Sequence, residues 1–408
     1  MARTVAGLRE GTRVTDFISL GVIAQRFPQE EVRRILEETG RQSVRHRQLP
    51  AEVVFYYVIA LALFMSVSYG EVLRCLVEGL EWLGDSASVR RIRRSGRSAI
   101  SMARARLGAE PLRRMLETRV EPIATAKTRG TWYRGRRLVS LDGSTLDVAD
   151  TQANERAFGR PGAARGSAAF PQLRFVSLVE NGTHVLFRTE WGGYRDAENT
   201  LARRLLVHLE KGMLCLADRG FFSFALWKQA ASTGADLVWR MKKNAVLPCI
   251  ERLPDGSYLS RIYATAKDRR HDRNGIAVRV VEYQLAEVEK SEPLYRLLTT
   301  VLDESEAPAE ELAALYHERW EIENAFDEFK THLRGRQTVL RSKTPELVEQ
   351  EFYGLLLAHF AIRGLMHEAA LQGDLDPDHL SFVHTVRVVR RKLAAFTAIP
   401  PSGLVASA

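Results

Sequence analysis

The 408-residue chain has only three cysteines, Cys75, Cys215 and Cys249, and none falls in the paired Cys or His spacings that a zinc site needs. A reducing cytoplasm is the expected compartment. No apolar run reaches the roughly 20 residues that span a bilayer. The closest, Val53 to Val67, holds 15 residues and is expected to be a buried helix, so no membrane partner is anticipated. No signal peptide is expected either, because Arg3, Arg9, Glu10 and Arg13 interrupt the first residues before an apolar segment can form. The Gly-rich stretch Gly159 to Gly166 lacks the lysine-bearing phosphate-loop pattern, which argues against nucleotide hydrolysis. Internal repeats and low-complexity tracts are absent.

Acid is scarce in one place. Between Ser88 and Arg114 the nine arginines Arg90, Arg91, Arg93, Arg94, Arg97, Arg104, Arg106, Arg113 and Arg114 stand against a single acid, Glu110. Such a run is often a solvated face, but this density also predicts phosphate contacts and salt-dependent DNA binding. The whole chain leans the same way, with 59 Lys+Arg against 50 Asp+Glu and a net charge of +9. A polyanionic partner such as DNA follows.

The length allows two or three cores. Apolar residues recur at helical spacing from Asp16 to Glu38, broken at Pro28, and again from Glu71 to Leu83. At Arg137 the pattern turns to strands: Leu138 to Val148, Arg174 to Glu180 and His184 to Trp191, the last two joined by the hairpin signal Asn181-Gly182. Helix Thr200 to Leu209, strand Met213 to Ala217, helix Phe224 to Ala231 and strand Asp236 to Met241 follow. The order β-β-β-α-β-α-β predicts a ribonuclease-H-like α/β core with a mixed sheet. Residues 243–305 read as a β-rich insertion, Ala309 to Leu333 as one long helix, and the remainder as helical. The expected division is 1–130 as a helical DNA-binding region, 131–242 with 306–340 as the catalytic core, 243–305 as the insertion and 341–408 as a helical C-terminal region.

Three acids stand out. Asp142 interrupts a strand that should be largely buried, so it needs either a partner inside the core or a metal ion; Gly143 beside it admits close approach. Asp218 ends the apolar strand Met213 to Ala217, where ligand sites of α/β sheets gather, although turn and N-cap aspartates are common there too. On the long helix Tyr316, Arg319, Glu323 and Lys330 are spaced by three, four and seven residues, which at 3.6 residues per turn places them within roughly a 60° arc. That row borders the apolar face of Leu312, Leu315, Ile322, Phe326, Phe329 and Leu333. Ordinary i, i+4 pairing of Arg319 with Glu323 is the simpler account of two of its members. Phosphodiester transfer supplies a reason for all three acids, since two divalent ions need highly charged oxygen ligands.

The spacing Tyr316-x₂-Arg319-x₃-Glu323-x₆-Lys330 resembles the Y-R-E-K signature of the insertion-sequence-4 transposases. Leu141 to Asp147 and Leu216 to Phe222 resemble the first and second aspartate motifs of that family, and the N-terminal helices and Leu340 to Leu347 are similar to it as well. The resemblance implies a metal-binding catalytic triad of Asp142, Asp218 and Glu323, with Tyr316, Arg319 and Lys330 contacting DNA phosphates near the cut. It also implies Mg²⁺, with Mn²⁺ able to substitute, and a homodimer pairing the element ends in a prokaryotic cytoplasm, beside the nucleoid. Arg90, Arg91, Arg93, Arg94 and Arg97 would add DNA contacts, as would Arg387, Arg390, Arg391 and Lys392. The expected activity is cleavage at the ends of a mobile element and transfer of its 3′ ends into target DNA. The rivals are a nuclease that never joins DNA and a domesticated, inactive DNA-binding protein. Members of the family that cut through a DNA hairpin hold a flipped base on a tryptophan of the insertion. This insertion has none, and offers Tyr258, Tyr263, Tyr283 and Tyr295.

Overall fold

The five strands expected between Leu138 and Met241 all join one mixed sheet. The computed structural model describes residues 19–43, 49–78, 92, 95–163, 166–167, 169–242, 244–284, 294–317, 319–335 and 339–397. The fold comprises two compact units. One draws on the helices up to Arg119, on Glu328–Glu368 and on residues from Leu380 onward; the other comprises Val120–Asp327 with Ala369–His379.

The second unit holds the sheet. After the short β1 (Trp132–Tyr133), strand β2 (Arg136–Asp147) runs through its centre, and β3 (Gly162–Ala163) and β4 (Gly166–Ser167) form a small separate ladder. On one side of β2 lie β5 (Gln172–Glu180) and β6 (Val185–Gly193), each antiparallel to its neighbour. On the other side lie β7 (Met213–Ala217) and β8 (Asp236–Arg240), both parallel. Helix Glu198–Leu205 packs on β5 and β6, and helix Phe224–Ala231, whose N-terminus is capped by Ser223 Oγ, packs on β8. An antiparallel meander followed by two parallel strands with crossover helices is the ribonuclease-H-like arrangement that the segment order predicts.

The stretch 243–305 is β-rich, and it continues the same sheet. Strand β12 (Tyr295–Thr299) pairs antiparallel with β8, and then come β11 (Ile276–Tyr283), β10 (Tyr258–Ile262) and β9 (Glu251–Arg252). Helix Ala309–His317 lies against this surface. Its Leu312, Leu315 and Tyr316 close a core with Leu138, Leu214, Leu216, Val238, Val281 and Leu297.

Three local expectations change. The hairpin after β5 is a four-residue turn, Asn181 to His184, and not a two-residue one. Ser140 Oγ donates to Asn181 Oδ1 and Thr183 Oγ1 to Glu180, so the turn is tied into the interior; a Cβ on Gly182 would sit 2.7 Å from Thr131 Oγ1. Helix Gln152–Phe158 and the β3–β4 ladder lie between two expected strands, where the sequence pattern marks no regular element. The expected helix Ala309 to Leu333 is interrupted: Arg319 sits in a turn, its amide donating back to Tyr316 O at 3.2 Å, helix Trp320–Asp327 resumes, and Glu328–Leu333 is a π-turn. An even 3.6-residue phase therefore does not run from Tyr316 to Lys330.

The first unit is helical. Helix Ala51–Leu63 is buried at every position except Glu52, as the unbroken apolar run requires. Helix Pro345–Gly373 crosses it closely, because a Cβ on Gly354 would meet Val58 O at 2.8 Å. Among the described residues no helix is long and apolar enough to cross a membrane.

Candidate active site

In the register of β2 with β7, Leu141 pairs with Ala217, so Asp142 and Asp218 are the next residues out on two adjacent parallel strands. Strand pairing alone brings together two carboxylates that lie 76 positions apart in the chain. The buried run Leu138 to Leu141 fixes Asp142 at the edge of the core, where its Oδ1 accepts from the Gly143 amide at 2.8 Å. Burial pushes the Asp142 carboxyl up to about 6, and the charges of Asp218 and Glu198 add to the rise against the opposing Gly143 amide and Arg319.

Tyr316 and Arg319 approach the two aspartates. The Tyr316 hydroxyl donates to Ala217 O at 3.3 Å and stands 3.5 Å from Asp218 Oδ1; burial holds its pKa above the ordinary phenol range. Arg319 Nη1 lies 3.5 Å from Asp142 Oδ2, and its guanidinium carbon is 5.7 Å from the Tyr316 ring centroid. The tight turn at Arg319 lets both side chains face the same pair of aspartates.

Glu323 is exposed on helix Trp320–Asp327, and its charge is felt at Arg319. Among the described residues no three acidic, His or Cys side chains are gathered closely enough to hold a metal ion. The structure thus joins Asp142, Asp218, Tyr316 and Arg319, and leaves Glu323 outside a closed three-acid cluster. The two aspartates still suit a hard divalent cation: both are oxygen donors on adjacent strands, and their mutual repulsion is one cause of the raised Asp142 pKa. Lys330 lies in the π-turn, half-buried.

Two neighbours carry no sequence signature. Arg240 ends β8, beside Asp218, with Nη1 3.7 Å from Asp218 Oδ1. The strand-end rule that singles out Asp218 applies equally to Arg240 and could have found it. Glu198 packs against Gly143, where a Cβ would meet its Cδ at 3.3 Å, so the open approach at Gly143 is filled by protein. Nothing in the sequence points to it.

The arginine stretch divides. Arg90, Arg91, Arg93 and Arg94 lie outside the described residues, and Arg97 opens helix Arg97–Leu107, exposed. Arg104 is not a phosphate contact: it is buried and donates to Gln350 Oε1 at 2.9 Å and Ser342 Oγ at 3.0 Å. Arg113 pairs with Glu110 and Glu117, and Arg114 with Glu117, an acid just beyond the stretch. Arg387 is exposed, whereas Arg390 donates to Leu63 O and Leu333 O and is structural. Tyr258 bonds to Glu282, Tyr263 to Asp272, and Tyr283 stacks on Tyr295.

A model of the insertion element 4 transposase N-terminal region matches residues 17–117, and one of the transposase DDE domain matches residues 133–361, more than half of the chain. The chain is 31% identical over 378 residues to transposase InsG for insertion sequence element IS4 of Escherichia coli (strain K12), across 91% of this chain and 82% of that one. Putative transposase InsZ of the same organism is 25% identical over 237 residues, 57% of this chain and 75% of its own. A piggyBac transposase synaptic complex with hairpin DNA, solved by cryo-electron microscopy, is 11% identical with a TM-score of 0.47, covering 97% of this chain and 85% of that one. DDE transposases act on DNA and use a divalent metal. Both family models are matched in order along one polypeptide, and the first relative aligns over nine-tenths of it: the chain belongs to the insertion-element-4 family of DDE transposases.

Proposed function

We propose that Asp142, Asp218 and Glu323 form the catalytic triad that cuts the ends of a mobile DNA element and joins its 3′ ends to target DNA. The observation that carries this reading is the placing of Asp142, midway along β2, and Asp218, just past the end of β7, next to the paired Leu141 and Ala217, with Tyr316 and Arg319 beside them. Mg²⁺ ions held by these acids, with Mn²⁺ as substitute, would activate the attacking oxygen and stabilise the leaving one. Arg319, Tyr316 and Lys330 hold DNA phosphates, and Arg319 offsets the charge of the acids until substrate arrives. Water opens one phosphodiester at each end, and the freed 3′-hydroxyl attacks a target phosphodiester, one P–O bond forming as another breaks. No ATP is consumed, because transesterification conserves the number of phosphodiester bonds.

The helical region 1–130 would bind the element ends, with Arg97 and Arg90, Arg91, Arg93 and Arg94 at phosphates. Residues 131–242 and 306–340 would form the catalytic core, 243–305 its insertion and 341–408 the helical C-terminal part. A homodimer would pair the two ends, beside the nucleoid of a prokaryotic cell. Asp142→Asn tests the reading directly. It should abolish cleavage of an element-end duplex and leave binding to that duplex intact, and full cleavage by the variant would remove the assignment. Strand transfer from pre-nicked ends by the unaltered protein distinguishes a transposase from a nuclease that only hydrolyses.

A further inference from the structure

We propose that Arg240 is a substrate-contacting residue, whose guanidinium binds a DNA phosphate next to Asp218. The proposal rests on the reading of Asp142 and Asp218 as catalytic acids.

Strand geometry puts Arg240 where it can serve. Ala217 of β7 pairs with Trp239 of β8, so Asp218 and Arg240 follow as the next residues on adjacent parallel strands. The side chain is braced from the other side, since Arg240 Cζ lies 4.7 Å from the Tyr295 ring centroid. Tyr295 is stacked on its cross-strand partner Tyr283, with centroids 5.2 Å apart and planes at 19°. Cation–π contact and the limited exposure of 15% restrict the guanidinium before any ligand arrives.

The contact of this braced cation with Asp218 is long. At 3.7 Å the Arg240 Nη1 to Asp218 Oδ1 separation exceeds a direct hydrogen bond, so Asp218 does not take the bidentate geometry that guanidinium favours. Arg319 stands at Asp142 in the same manner, at 3.5 Å. Each aspartate of the pair therefore has one guanidinium close beside it. A planar donor fixed at the rim of an acidic site, and close to where a phosphodiester must lie for Asp218 to act, matches phosphate recognition better than a flexible ammonium would. The competing account is that Arg240 only balances the charge of Asp218.

A double-mutant comparison in the full chain separates the two. The probe is a labelled, intact duplex of the element's own end, titrated over a range of salt. Asp218→Asn alone should stop cleavage and keep affinity. Adding Arg240→Ala should weaken binding about tenfold and flatten the slope of log affinity against log salt by about 0.9, the signature of one lost phosphate contact. Arg240→Lys should recover most of the slope and less of the affinity. Equal affinity and slope for Asp218→Asn with and without Arg240→Ala would overturn the proposal and leave Arg240 as a counter-ion. Arg240→Gln keeps much of the side chain and gives the same comparison if the alanine variant folds poorly. Cleavage by Asp218→Asn would instead sink the catalytic reading, a separate outcome.

Discussion

Arg319 Nη1 stands 3.5 Å from Asp142 Oδ2, across 177 positions of chain, and so links the helix-borne half of the site to the strand-borne half. Burial draws the Arg319 pKa down, but the charges of Tyr316, Asp142, Asp218 and Glu323 outweigh it and leave it raised. One guanidinium thus answers to every acid of the proposed triad.

Removing that guanidinium should cost chemistry more than binding. Arg319→Ala is expected to lower the rate of cleavage by at least about a hundredfold, the scale of a lost preorganised charge at a phosphoryl centre. Affinity for the element end should fall by less than about tenfold, since one phosphate contact among several is lost. Arg319→Lys should also be impaired, because an ammonium cannot present the planar fork. Single-turnover cleavage and equilibrium binding on one duplex check both; a variant that cuts at the parental rate rules out the role.

Asp142 predicts a pH dependence of stability. Its folded pKa of about 6 lies above the ordinary value of 3.8, so the folded state holds this proton more tightly than the unfolded one. The associated stability is fully present below about pH 4 and is lost as the pH rises through about 6. Asp142→Asn has no such proton to lose. Without metal, the stability of the variant relative to the parent should therefore grow by up to about 3 kcal/mol between about pH 4 and about pH 8. Denaturant unfolding at several pH values measures it, and a difference that stays flat contradicts the raised pKa.

Much of this was legible in the chain. Strand-forming runs and turn signals marked β2, β5, β6, β7 and β8, and the apolar stripe Leu312, Leu315 placed Tyr316 at the edge of the core. What periodicity could not supply was phase through irregular backbone: the turn at Arg319 and the π-turn at Glu328–Leu333 depend on tertiary contacts, so the even Y-R-E-K arc was an idealisation. Composition also misled locally. Arg104 counted as a surface cation until its bonds to Gln350 and Ser342 showed a buried one, and Glu198 approaches Gly143 only because its helix packs on β5 and β6.

Divalent metal offers a test that needs no DNA. A cation that binds the folded state alone stabilises it by about 2.7 kcal/mol at roughly a hundred times its dissociation constant. Mg²⁺ or Mn²⁺ should therefore raise the unfolding midpoint of the unaltered protein. Asp142→Asn and Asp218→Asn should abolish the shift, and Glu323→Gln should reduce it if Glu323 completes the ligand set. An unchanged shift in Glu323→Gln would restrict the metal ligands to the two aspartates.

The insertion anchors the helix that bears Tyr316. Asp255, in the turn before β10, accepts the amide of Ala309 at 2.8 Å and thereby caps helix Ala309–His317 from 54 residues away. Arg279, fully buried on β11, holds that carboxylate at 2.5 Å and also donates to Ser257 Oγ and Ala307 O. Burial alone would raise the Asp255 pKa, but the bonds from Ser257 and Ala309 and the charge of Arg279 together leave it lowered. Its contribution should thus persist at neutral pH and fade only as acid takes the pH below the ordinary aspartate range. Arg279→Met leaves Asp255 without its cation and should cost about 3–5 kcal/mol, as breaking a buried pair does. Arg279→Met combined with Asp255→Asn should recover part of that loss, because no unpaired charge remains. Denaturant unfolding of the three proteins decides it: a single variant as stable as the parent would show that the pair does not brace the helix.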